Sequence, residues 1–188
     1  MDDAAENSII VIPGANGQLD ETDVTRLDAH LAGGEVLLLQ LEVPLSVNIA
    51  AARAAQAHGV TVILDPAPAQ TLPDKLYDLV DILTPNQVEA AHLTGITINC
   101  REDAVRAADA LLAKGVRTVI VKLGAVGVLY QSADCKDFVP AFEVEAVDTV
   151  AAGDAFNGGL AAALSAGHTL PEAVRQGCAV AALAVTRS

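Results

Sequence analysis

The chain has 188 residues, of which 52% are apolar, 19% charged and 3% aromatic, and its formal net charge is −13. That length is enough for one substantial core, and the composition excludes a disordered polymer. The negative charge and the scarcity of aromatic rings argue against nucleic acid or an anionic membrane as a partner.

Ser8–Ile12 reads as a short apolar strand, stopped by the turn-rich Pro13-Gly14-Ala15-Asn16-Gly17. Residues 21–32 have helical spacing, with Val24, Leu27 and Leu31 on one side. Val36–Leu41 is a strand-length apolar run ending at Glu42. Ser46–His58 is helical up to Gly59, and Val60–Leu64 is a further buried strand running into Asp65-Pro66-Ala67-Pro68-Ala69. Pro73–Leu79 predicts a short helix and Val80–Leu83 a short strand. Pro85 is placed at the first position of a helix through Leu93. Asn99 and Glu102 resemble a capping box for a helix to Lys114. Arg117–Leu123 and Val128–Gln131 are strands around a Gly124–Gly127 turn, and Thr169 with Glu172 caps a last helix through Ala184. Strands alternating with helices across short links indicate an α/β fold with a buried parallel sheet.

The informative stretch is Asp148-Thr149-Val150-Ala151-Ala152-Gly153-Asp154. A β-branched approach (Val144, Val147, Thr149, Val150) meets small residues and then the uncharged run Leu160–Ala166, a turn opening into a buried helix. The amides of Ala151, Ala152, Gly153 and Asp154 would lie where a helix leaves its first N–H groups without acceptors, which makes an anion hole. Asp154 beside it either caps the helix or accepts a proton from a hydroxyl attacking phosphorus. Glu42, Asp65, Asn86, Gly124 and the 148–154 turn each follow a predicted strand end, where open α/β sheets bind ligands. Neither a Walker loop nor a Gly-x-Gly-x-x-Gly run is present. Cys100, Cys135 and Cys178 have no paired spacing, which suits a reducing, cytoplasmic setting. The four histidines have no metal-ligand spacing and read as surface or helix-end residues. Residues 1–6 are unlike a signal peptide, and no uncharged apolar run approaches the ~20 residues of a membrane span.

Asp148–Gly158 resembles the second signature of the PfkB/ribokinase family of carbohydrate kinases. Val11–Asn16, Gln40–Glu42, Asp65–Ala69, Thr84–Ala90, Lys122–Gly127 and Ala184–Arg187 resemble further segments of that family in the same order. The resemblance implies a three-layer α-β-α fold with a mostly parallel central sheet, 1–188 forming a single domain incomplete at both ends. The family's lid strands and early sugar-clamping residues have no counterpart here. It also implies an ATP-dependent kinase phosphorylating D-ribose at its 5-hydroxyl, with Asp154 as the base. Another sugar or nucleoside kinase, or a nucleotide-binding fragment without turnover, are the alternatives.

By the same resemblance, Glu42 and Asp154 would bind the sugar. Asn86, the segment Lys122, Leu123, Gly124, Ala125, Val126 and Gly127, together with Gly153 and Cys178, would contact ATP. Asp148, Val150, Ala184 and Arg187 would hold a monovalent cation, K⁺, and Glu89 would organise Mg²⁺ through water unless it idles on an exposed helix face. Asn86 reads equally as a helix start, and Cys178 as plain core. Asp65 replaces the asparagine usual in the family, which adds a negative charge near the phosphates. A homodimer of the intact protein is compatible with the family.

Overall fold

A computed structural model of the chain describes residues 13–187. After a single 3₁₀ turn at Asn16–Gln18, the elements are α1 (Glu21–Leu31), β1 (Val36–Leu39), α2 (Leu45–Ala57), β2 (Thr61–Leu64), α3 (Asp74–Tyr77), β3 (Ile82–Leu83), α4 (Gln87–Thr94), α5 (Arg101–Leu112), β4 (Thr118–Lys122), β5 (Gly127–Ser132), β6 (Lys136–Pro140), α6 (Ala152–Ser165) and α7 (Leu170–Val185). The expected Ser8–Ile12 strand lies outside the described residues.

The strands form one sheet in the order β1-β2-β3-β4-β5-β6. β1 to β4 pair in parallel, and β5 and β6 close the far side as antiparallel hairpin partners. Alternate side chains enter two separate cores, as strand geometry requires. Val62, Leu64, Leu83, Val119 and Val121 face one core, which also takes residues from α1 to α5. Ile63, Ile82, Ile120, Val128 and Tyr130 face the other, built with Phe156, Leu160 and Ala163 of α6 and Ala173, Val174 and Cys178 of α7. Both sheet faces are therefore covered, giving the three-layer α-β-α arrangement, and the mostly parallel sheet matches the composition argument.

Three local expectations change. Asn86, not Pro85, opens α4: its side chain accepts from the Glu89 amide at 2.9 Å, while Glu89 Oε2 accepts from the Asn86 amide at 2.7 Å. The predicted Asn99–Glu102 box is replaced by Asp103, whose Oδ2 accepts from the Asn99 amide at 3.0 Å, and Cys100 is the cap residue. The valine-rich approach to the 148–154 turn is no strand: residues 141–150 are irregular, and the strand is the preceding β6. Alternation of Glu143 and Glu145 with Phe142, Val144 and Ala146 gives strand periodicity, but the irregular backbone leaves Val144, Val147 and Val150 exposed. The histidine expectation holds, with all four exposed near helix ends.

Close approach of α6 and α7 depends on two glycines. A Cβ on Gly177 would lie 2.9 Å from the Phe156 ring and carbonyl, and one on Gly159 would lie 2.9 Å from Val180. The α7 start follows the sequence reading: Glu172 Oε2 accepts from the Thr169 amide at 2.8 Å and from its hydroxyl at 2.7 Å.

Candidate active site

Because β1 to β4 run in parallel, their carboxyl ends deliver Glu42, Asp65, Asn86 and Gly124 to one edge of the sheet. The loops there are stitched together. The Leu41 amide donates to the Ala67 carbonyl at 2.8 Å, and the Lys122 amide donates to the Pro85 carbonyl at 2.8 Å. Glu42 is exposed, with its own amide donating to Gln40 Oε1.

The amino end of α6 arrives at this edge from the opposite face, not from a strand end. Lys122, the last residue of β4, places its ammonium 2.9 and 3.1 Å from the two Asp65 oxygens. Asn157, one turn into α6, donates from Nδ2 to Asp65 Oδ2. A Cβ built on Gly153 would stand 3.3 Å from Lys122 Nζ. Asp65, Lys122, Asn157 and Gly153 are thus one cluster, and its charges are largely out of water: the side chains of Lys122 and Asp65 are 12% and 7% exposed. The negative charge that Asp65 adds is balanced on the spot by Lys122. Sequence reasoning gave Asn157 no role. Its signal was a polar residue four positions after Gly153, hence on the same helix face, just ahead of the uncharged run Leu160–Ala166.

The α6 start is built as an amide donor site with one exception. Ala151 is the cap residue in left-handed conformation, φ 59°, and makes no side-chain cap. The Ala152 amide donates to the Thr149 carbonyl at 3.3 Å, which removes it from the expected set of four. The amides of Gly153 and Asp154 have no backbone acceptor among the described residues. Asp154 is exposed and caps nothing, so the capping alternative for it fails. Its first-turn position still places a carboxylate next to the positive end of the helix.

Beside this, Gly124, Ala125 and Val126 form an exposed 3₁₀ turn. Leu123 and Gly127 at its ends are buried. Gly127 has φ 129°, and a Cβ there would fall 2.2 Å from the Val139 carbonyl oxygen, so the residue must be glycine. Asn86 is half-buried and spends its carbonyl and one amide hydrogen on Glu89. Glu89 is buried, not on an exposed face. Burial, reinforced by the Asp65 charge, raises its carboxyl above the usual range, against the lowering effects of the Asn86 amide and Lys122. Cys178 packs within the α6–α7 core, and burial pushes its thiol up to about 11.

The cation residues predicted from opposite ends of this region are brought near each other. The Val147 and Asp148 amides donate to the Val185 carbonyl at 2.7 and 3.2 Å, tying the 148 turn to the end of α7. Asp148 Oδ1 accepts from the Val150 amide at 2.9 Å, and the Ala184 carbonyl accepts from the Arg187 amide at 3.2 Å. Among the described residues, no group of three or more His, Cys, Asp or Glu side chains could hold a metal ion. No helix among them is long and apolar enough to cross a membrane.

Comparison with known proteins places this geometry in context. The chain is 45% identical to a ribokinase of Haemophilus influenzae over 184 residues, covering 98% of this chain and 60% of the relative. It is 37% identical to a deoxyribokinase of Salmonella typhi, covering 97% and 60%. Among solved structures, a ribokinase from Thermotoga maritima superimposes with TM-score 0.86 at 40% identity, over 99% of this chain and 61% of that one. The Arabidopsis thaliana ribokinase complexed with ribose and ATP gives 0.87 at 32% identity, over 97% and 60%. The chain therefore spans about three fifths of the length of these relatives. A sequence model of the pfkB family of carbohydrate kinases matches residues 1–188. The chain belongs to the pfkB family of carbohydrate kinases.

Proposed function

We propose that this chain is the nucleotide-side part of an ATP-dependent sugar kinase that moves the γ-phosphoryl group of ATP to the 5-hydroxyl of D-ribose. The observation that carries the reading is the amino end of α6: amides without backbone acceptors, next to an exposed carboxylate that caps nothing. The Gly153 and Asp154 amides, with Ala151 at the turn, bind phosphoryl oxygens and stabilise charge as it develops on them; one such donor is worth ~3 kcal/mol in the transition state. Asp154 takes the acceptor proton. The hydroxyl proton becomes acidic as its oxygen bonds to phosphorus.

The exposed turn Gly124–Val126, flanked by Lys122, Leu123 and Gly127, together with Asn86 and Cys178, lies against the nucleotide, and Glu42 contacts the sugar. Magnesium, carried by the nucleotide, would keep most of its water shell. Glu89 meets that water shell with the lone pairs Asn86 leaves free. Potassium suits the oxygen set of Asp148, the carbonyls of Val150 and Ala184, and Arg187; it would neutralise charge next to the anion hole. Asp148→Ala weakens activation by potassium, and a kinase indifferent to potassium removes this assignment. The unpaired cysteines suit a reducing, cytoplasmic setting, and a homodimer of the intact protein is compatible with the family.

A spectrophotometric assay of ribose phosphorylation by the natural full-length protein tests the proposal. The deoxyribokinase relative favours a second reading, 2-deoxy-D-ribose as acceptor. The acceptor with the higher kcat/KM in a panel of ribose, 2-deoxyribose, fructose and nucleosides decides between them. ATP binding without turnover on any acceptor overturns the kinase reading.

A further inference from the structure

Lys122 stands where an ammonium ought not to be stable. The start of α6 carries the positive end of the helix dipole, which repels a cation. Lys122 Nζ nevertheless lies 3.3 Å from the position a Gly153 Cβ would take, and its side chain is largely withdrawn from water. Three features keep it there. Asp65 binds it with both oxygens, at 2.9 and 3.1 Å. Asn157 Nδ2 braces Asp65 Oδ2 from inside α6. Gly153 has no side chain to occupy the space.

The pair is also placed by rigid parts. Asp65 is fixed at the end of β2, its amide donating to the Leu39 carbonyl at 2.8 Å, and Lys122 is held by its own amide to Pro85 and a bridge to Asn86. An ammonium has three hydrogens. Two point to Asp65, leaving one for an incoming oxygen without breaking the pair. Asn157 Oδ1 is buried and without a partner among the described residues, so this corner is not closed upon itself.

We propose that Asp65, braced by Asn157, is a positioning residue that holds the Lys122 ammonium at the amino end of α6. There Lys122 and the Gly153 amide jointly bind one oxygen of the polyphosphate of ATP. The inference rests on the kinase reading above and adds to it a division of labour. Lys122 touches the phosphate, while Asp65 never does and acts only through Lys122. A bare lysine on a strand end would sample many rotamers; this one is pre-set, so its charge is delivered without ordering cost.

Calorimetric titration of the natural full-length protein with ATP and with adenosine, at fixed magnesium, tests this. The readout is the ratio of the two affinities, which isolates the phosphate contribution and is insensitive to general loosening of the fold. Asp65→Asn is expected to lower the ratio about tenfold, as for loss of a charge-assisted hydrogen bond. Lys122→Met lowers it at least as much, and the double variant D65N/K122M no further than Lys122→Met alone. If Asp65→Asn does not fold, Asp65→Glu shifts the same charge by one methylene and lowers the ratio in the same direction. A ratio unchanged in the Asp65 variants overturns the proposal, whatever their melting temperatures. So does an increase, which would make Asp65 a competitor of phosphate. If the parent protein binds no ATP, the kinase reading fails and this one with it; if the parent binds ATP and only the variant effects are missing, this one alone fails.

Discussion

Asp154 and Glu89 are both carboxylates assigned to the candidate site, yet their environments differ. Asp154 is exposed and makes no cap, so its substitution removes chemistry with little cost to the fold. Asp154→Asn is expected to keep ATP affinity within about twofold and to reduce kcat of the full-length kinase by a factor of about 100 or more, the range typical of a general base. Steady-state kinetics with ATP and sugar varied in turn checks it. Glu89 is the opposite case. It is buried, and burial raises its carboxyl above the usual value of 4.5. A carboxyl raised in the folded state favours folding below its unfolded value and loses that contribution as pH rises through its folded one. The stability of the parent relative to Glu89→Gln is therefore greatest near pH 4.5 and declines toward neutral pH. Urea unfolding of both proteins between pH 4.5 and 7.5 reads the difference; a gap that widens with pH contradicts the assignment.

At the scale of elements, α6 carries the site and α7 holds α6 in place. Their contact has no slack at Gly177, where a methyl would meet the ring and the carbonyl of Phe156 at 2.9 Å. Overpacked positions of this kind cost about 1–3 kcal/mol. Gly177→Ala is expected to destabilise by about 2 kcal/mol in urea and, by displacing α6 at Phe156, three residues beyond Gly153, to weaken ATP binding. The helices and the parallel strands were legible in the sequence because each has a strong local cause. Thr169 and Glu172 cap α7, and Val60–Leu64 is too short and too apolar to be a surface helix. β6 was missed because Lys136 and Asp137 hide its alternation, and its pairing with β5 is tertiary. The irregular 141–150 segment was misread for the converse reason: it is rich in β-branched residues, yet Val144, Val147 and Val150 lie exposed on irregular backbone.

For the molecule as a whole, the net charge of −13 opposes its proposed anionic ligand. Screening shortens that repulsion to ~10 Å at 0.1 M salt. Raising ionic strength from about 10 to 150 mM is thus expected to speed ATP association severalfold while the local contacts at α6 keep dissociation nearly constant; stopped-flow binding traces at several salt concentrations measure it. A rate that falls with salt would mean that the site presents a net positive field of its own. The sequence pointed to the site through its Gly-Asp motif and the strand-end positions, four of which the topology does bring to one edge. It could not reveal that Asp65 is neutralised by Lys122 and braced by Asn157, since those partners are 57 and 92 positions away.

That separation has a consequence during biosynthesis. β1 and β2 emerge from the ribosome with Asp65 facing a place where neither its lysine nor its amide brace yet exists. A buried carboxylate without partners resists docking, so the growing polypeptide should keep this corner open to solvent until translation has passed residue 157. The nucleotide end would then be sealed in a late step, and nascent chains stalled before α6 should expose Asp65 to water and remain susceptible to protease there.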